Sequence, residues 1–450
     1  MQIESFIDYE TVVANKHHPL HFALRLTAEE TDVQRARPLA FCAVIDRSGS
    51  MGGEPLAQAK KALKVAVRNL RSEDCFALVC FDDVARTLHP LKPVANKQEL
   101  MQCIDSIGPG GCTNLTAGWM LGRDELKGGE PDMTRRLLLL SDGQLNHGIT
   151  EPDQVARIVA SGLEHERVRT SCLGFGDHYD EDLLMELARC TNGQHYDAVS
   201  AEQLPAIFEN ELDGLQKISA QNIRLRVKPL ELCENLTCLG DLPFVTLPDA
   251  RVEYTVGDLV SGEQQIVCFG MEALPMPVVE GEPVASLEGE SLVELELLYD
   301  EITAEGIASK TFTQTIRIQA TQDPAESTPN GEVIGWVALQ RSGRTFNEAA
   351  RFMDRGDIEG GLNLVREAID RLEALGDPQA VAEALRPLRQ LEGQILEGGF
   401  DARARKMAIY RSHAYQKMKS HEMWSAEEAA PSFKSRRSRR EGKDDQETKS

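Results

Sequence analysis

The sequence predicts an α/β protein. A doubly wound, mostly parallel sheet is inserted in an antiparallel β-sandwich, and a C-terminal helical region follows. Three observations carry this. Continuous apolar runs of strand length alternate with amphipathic helical stretches over residues 38–218. Runs of strict apolar–polar alternation, punctuated by Pro and Gly, fill 219–322, and one such run, Leu20-His-Phe-Ala-Leu-Arg-Leu26, stands apart near the start. Helical periodicity then takes over across 332–420.

The lone early strand, within residues 1–37, cannot build a core by itself. Its natural partners lie beyond residue 219, which makes 38–218 the insertion. Within that insertion, Leu39–Asp46 reads as a buried strand and 55–71 as a helix. The helix places Leu56, Ala59, Leu63, Ala66 and Leu70 on one face, with Lys60, Lys61, Lys64 and Arg68 opposite. Buried strands follow at 75–82, 136–141 and 168–175, with an edge strand at 84–91 and a short last strand at 193–198. Helices are expected at 97–107, 116–127, 152–166, 182–189 and 201–218. Beyond it, strands are expected at 223–227, 265–269, 292–299 and 311–318. Helices then follow at 346–355, 358–375, 380–396 and 402–419, the second carrying an apolar stripe of Leu362, Val365, Ala368, Ile369 and Leu372. No second copy at a fixed period marks a repeat. The end, 421–450, is charged and expected to be disordered.

Composition bounds the function. The chain has 450 residues, 41% of them apolar, enough for two or three domains with sizeable cores. A formal charge of −23 disfavours non-specific binding to nucleic acid or anionic membranes. The exception is a basic cluster, Lys434-Ser-Arg-Arg-Ser-Arg-Arg440. No signal peptide or stretch of about 18 apolar residues is expected, so neither export nor a membrane span is indicated. Ten cysteines sit singly, mostly in apolar runs, which suits reduced thiols in a cytoplasm rather than a disulfide scaffold. Cys233 and Cys238 form the closest pair outside the predicted strands, at a spacing unsuited to a CxxC site.

The chemistry concentrates where the first buried strand ends. Asp46, Ser48 and Ser50 alternate directly after Phe41-Cys-Ala-Val-Ile45. Oxygens at i, i+2 and i+4 past a strand can meet at one point, and hard cations favour such a set of few carboxylates, neutral oxygens and retained water. Open α/β sheets bind ligands outside the carboxyl ends of their strands, and Asp142 falls at another such end. The Asp46-x-Ser48-x-Ser50 triplet resembles the first signature of the von Willebrand factor A (VWA) domain. Gly110-Gly-Cys-Thr113-Asn114-Leu115 resembles that family's Thr loop. Leu137-Leu-Leu-Leu-Ser141-Asp142-Gly143 resembles its strand ending in Asp. The likeness covers about 38–218. The overall layout is similar to inter-α-trypsin inhibitor heavy chains and the bacterial proteins resembling them.

The resemblance implies a metal-ion-dependent adhesion site (MIDAS). Ser48, Ser50 and Thr113 would offer hydroxyls, and Asp46 and Asp142 carboxylates, to Mg²⁺, with Mn²⁺ or Ca²⁺ as alternates. It implies binding of a protein partner through that partner's Asp or Glu, and a role beside ATPases or kinase–phosphatase pairs in a bacterial cytoplasm. Gly49 and Gly52 are expected to permit the tight loop. Arg47 is expected to point away from the metal, facing solvent or else steering an acidic partner. Asn114 would brace its loop, and His147 is a rim histidine. Two further classes compete. A metal-dependent phosphoester hydrolase lacks a second metal cluster, a phosphate-binding Gly-rich loop and an assigned base. A structural or surface-adhesion protein sits poorly with single cysteines and no export signal. Partner identity and oligomeric state are not legible.

Overall fold

The computed structural model describes residues 1–420, apart from 31–37, 131–132, 143–145, 176–178, 192, 199–202, 206, 209–210, 213–216, 277–288, 304–305 and 399. The predicted α/β insertion, sandwich and helical region are all present. The expectation for 421–450 lies outside the described residues, as does half of the helix expected over 201–218. Ile218, assigned to that helix, instead opens a strand.

The insertion is built on a six-stranded sheet. Its strands are β4 (Leu39–Asp46), β5 (Cys75–Phe81), β6 (Ala85–Pro93), β7 (Thr134–Ser141), β8 (Arg169–Phe175) and β9 (His195–Ala198), in the order β6-β5-β4-β7-β8-β9. All neighbours are parallel except β5 and β6. Every residue of β4 and β5 is buried because helices cover both faces. Alternate side chains of β4 serve opposite cores. Leu39, Phe41, Ala43 and Ile45 meet α1 (Glu54–Asn69) and α2 (Lys97–Asp105). Ala40, Cys42 and Val44 meet α3 (Leu115–Lys127), α4 (Pro152–Glu166) and α5 (Glu181–Arg189). The chain runs outward from β4 in both directions, so strand order reverses between β4 and β7, where such sheets bind ligands.

The sandwich pairs a four-stranded sheet with a six-stranded one. The first contains β1 (Gln2–Ile7), β3 (His18–Thr27), β14 (Gln264–Ala273) and β11 (Cys233–Cys238). The isolated run at 20–26 is the heart of β3, paired with β1 on one side and β14 on the other. The second sheet runs β12 (Phe244–Thr246), β13 (Val252–Val260), β10 (Ile218–Pro229), β15 (Glu290–Thr303), β16 (Gly306–Thr321) and β2 (Thr11–Val13). Sequence reading missed β1, β2 and β11–β13. Cys233 and Cys238, placed outside strands, begin and end β11.

Four helices follow: α6 (Gly331–Asp354), α7 (Ile358–Glu373), α8 (Pro378–Leu396) and α9 (Ala402–Lys417). The first is far longer than the expected 346–355. Its earlier part buries Val333, Val337 and Ala338 against Ala23, Ile266 and Cys268, closing the outer face of the four-stranded sheet. Asp357, Asp377 and Asp401 cap α7, α8 and α9, each carboxylate accepting a backbone N–H of the first turn.

Candidate metal centre

Three loops meet at the carboxyl ends of β4, β5 and β7. The loop after β4 carries Asp46, Ser48 and Ser50. Ser48 N–H donates to Asp46 Oδ1 at 2.8 Å, curling the chain back over its own carboxylate. Ser48 Oγ and Ser50 Oγ then lie 3.1 Å apart. Ser50 Oγ donates to Asp142 Oδ1 at 2.9 Å, which brings in the loop after β7. The loop before α3 is stitched on through backbone: Gly49 N–H donates to Gly111 O at 2.9 Å and Gly110 N–H to Arg47 O at 2.6 Å. Thr113 is buried, and its N–H donates to Asn146 Oδ1 at 2.8 Å, tying this loop to the one after Asp142.

The glycines that matter differ from those expected. Gly49 and Gly52 have ordinary backbone angles, and the left-handed residue is Gly53, at φ 88°. The close approach falls on Gly110 and Gly111. A Cβ on Gly110 would come within 2.1 Å of Asp82 Oδ2, and one on Gly111 within 2.1 Å of Asp83 Oδ2. Arg47 is also corrected: its guanidinium is not turned to solvent but forms an ion pair with Asp82, largely buried beneath the loop. Asn114 caps α3, its side chain accepting from Ala117 N–H at 3.2 Å. His147 is exposed beside Asp83, whose carboxylate accepts from Cys112 N–H at 3.1 Å.

Ser141 contributes as well, a role its sequence motif did not announce. Its hydroxyl donates to Asp46 Oδ2 at 2.6 Å. Both oxygens of Asp46 are therefore held, by a hydroxyl and an amide. The position of Ser141, one residue before Asp142 on the strand beside β4, was the available signal.

The electrostatics single out Asp46. It is fully buried, and burial pushes its carboxyl up to about 6, against the opposing pull of hydrogen bonds from Ser141 and Ser48. Burial also raises Asp142, which Ser50 partly offsets. Among the described residues, no Lys, Arg or His forms an ion pair with either carboxylate. A buried carboxylate with only neutral donors lacks a countercharge. Two such carboxylates among three hydroxyls suit a hard divalent cation held with water. No group of three or more His, Cys, Asp and Glu able to hold a metal occurs among the described residues.

Comparison with known proteins agrees with this fold. Residues 42–210 match the family model of the von Willebrand factor type A domain. The chain thus carries a VWA domain, a class composed largely of interaction and adhesion modules. Over 359 residues it is 23% identical to the uncharacterized protein sll0103 of Synechocystis sp., covering 77% of this chain and 81% of that one. Inter-alpha-trypsin inhibitor heavy chain H1 of Bos taurus is 28% identical over 186 residues, 38% of this chain but only 20% of that protein. The von Willebrand factor type A structure from Catenulispora acidiphila superposes with a TM-score of 0.71 at 16% identity, covering 92% of this chain and 96% of that one. That likeness extends the shared fold beyond the A domain to the sandwich and helices.

Proposed function

We propose that this chain is a metal-dependent protein-interaction module, with Asp46, Ser48, Ser50, Thr113 and Asp142 holding Mg²⁺. The observation that carries the reading is the Asp46 carboxylate, fully buried with neutral donors only, gathered with Ser48, Ser50 and Asp142 where strand order reverses. The bound ion would supply the missing positive charge. Two carboxylates roughly neutralise a dication, which leaves it able to accept a third from a partner's Asp or Glu. Arg47, Asp82, Gly110 and Gly111 shape the loops, and Ser141 orients Asp46.

As part of the same proposal, the chain is a binding protein rather than an enzyme. It acts as an adaptor inside a bacterial cell, beside an ATPase or a kinase–phosphatase pair. Its ten cysteines, all free thiols, support an intracellular setting. Affinity capture from native extract, with MgCl₂ or with chelator, tests the reading. Wild type with Mg²⁺ retains a partner that Asp142→Ala does not, while both stay folded by circular dichroism. Equal capture in all arms overturns it. A phosphoester panel with Mg²⁺ gives no turnover above an Asp46→Ala control.

A further inference from the structure

The A domain meets the rest of the chain along two seams of different chemistry. At its base, Ile218 and Ile302 of the sandwich join the A-domain apolar core. Along α5 and β9 it meets α9, and there the apolar cores stay separate. The buried Ala408, Ala414, Tyr415 and Met418 belong to the core shared with α6–α8 and the four-stranded sheet. Tyr179, Leu183 and Leu187 belong to the A domain. Polar side chains span the gap. Arg405 pairs with Glu181, reaches Asp182 Oδ2 at 2.6 Å and holds Asp354 at 2.7 and 2.8 Å. Lys406 Nζ sits 4.0 Å from the centroid of the Tyr179 ring. Lys417 Nζ, buried, donates to Gly193 O at 2.9 Å.

Two histidines lie between these contacts, His195 on β9 and His413 on α9. His195 is 7% exposed, and neither of its ring nitrogens has a hydrogen-bond partner among the described residues; nor has Nε2 of His413. Apart from one another, the groups that act on them are cations: Lys417 and Lys406 act on His195, and Lys417 and Arg189 on His413. The carboxylates on the packed elements are engaged elsewhere. Glu181, Asp182 and Asp354 hold Arg405, while Glu186 and Asp241 hold Arg189 at 2.6 and 3.0 Å. Asp197 accepts from the Tyr179 hydroxyl at 2.6 Å, and Glu211 from Ser171 and Tyr196 at 2.6 and 2.5 Å.

We propose that this seam is an acid-released latch: protonation of His195 and His413, which share a cationic polar interface, parts α9 from the A domain while both stay folded. Burial first, then the neighbouring cations, holds His195 down to about 3, and burial and Lys417 hold His413 well below its ordinary range. An exposed imidazole titrates near 6.5. The parted state therefore takes up protons that the closed state refuses, so closure is complete above about pH 6.5 and weakens as pH falls below it. At pH 5.0 the depressed His195 weakens closure ~30-fold, and His413 acts in the same direction.

Hydrogen-exchange mass spectrometry on the full chain at pH 7.5 and 5.0, corrected for intrinsic exchange, tests the latch. Peptides over 181–198 and 402–417 lose protection at pH 5.0, while those over 39–46 and 134–141 keep theirs. The double variant His195→Gln, His413→Gln loses the pH response. Should that variant not fold, His413→Lys provides the second arm, opening the same peptides already at pH 7.5. Unchanged pH dependence in the Gln variant overturns the proposal, as does a Lys variant that stays closed. Loss of protection spreading to 39–46 at pH 5.0 also overturns it, since that is global unfolding.

Discussion

At the base of the A-domain sheet, Asp258 reaches from β13 to Arg136 and Arg169, neighbours on β7 and β8. Arg136 Nη2 donates to its Oδ2 at 2.6 Å, Asn222 N–H to its Oδ1 at 2.9 Å, and Lys419 Nζ to its backbone oxygen at 2.7 Å. At the opposite end of the same sheet, Asp46 receives only Ser48 N–H and the Ser141 hydroxyl. Both carboxylates are largely or wholly removed from water. Burial drives both upward, but Arg169 and Arg136 hold Asp258 below the usual carboxylate range, whereas Asp46 rises to about 6. At one end the carboxylate finds its countercharge within the chain, and at the other no Lys, Arg or His among the described residues pairs with it. Burial pushes both carboxyls the same way, and the presence or absence of a cationic partner decides which way each finally moves.

The comparison breaks most severely at the base. Asp258→Ala strands two buried guanidiniums and should cost about 3–5 kcal/mol in urea denaturation. At the other end the sign reverses with pH. A carboxyl raised in the folded state has its full stabilising effect below about pH 3.8 and loses it as pH rises through about 6. With chelator present, wild type should therefore lose of order 3 kcal/mol relative to Asp46→Asn between pH 3.8 and 6, and little more above that. Saturating Mg²⁺ should flatten the difference. Mg²⁺ at a hundredfold excess over its Kd should add about 2.7 kcal/mol to wild type at pH 7.5 and nothing to Asp142→Ala, read by thermal denaturation. Asn114→Ala, which removes only the cap of α3, should cost about 1 kcal/mol and weaken Mg²⁺ stabilisation modestly.

The parts legible in sequence were those written in contiguous residues. Leu39–Asp46 is one apolar run, and the three segments resembling VWA motifs each show their oxygens within a few positions. What escaped depends on distant partners. Arg47 looked solvent-directed because Asp82 lies 35 residues away, and Arg136 finds Asp258 across 122. β12 is exposed throughout and β11 at half of its positions, so alternation is weak there, and β13 mixes buried and half-buried positions. The polar seam of α9 carries no periodic signature, since long side chains rather than an apolar stripe make it.

The position of the A domain between β3 and β10 has a consequence for biosynthesis. Residues 39–198 hold every strand of its sheet, so that sheet can close while the chain is still emerging from the ribosome. β3 meanwhile has only β1 beside it until β14, at 264–273, is made. An early hairpin must keep one open edge through the synthesis of more than two hundred residues, a known invitation to mispairing. Nascent chains of increasing length should gain protease resistance over 39–198 well before they gain it over 18–27.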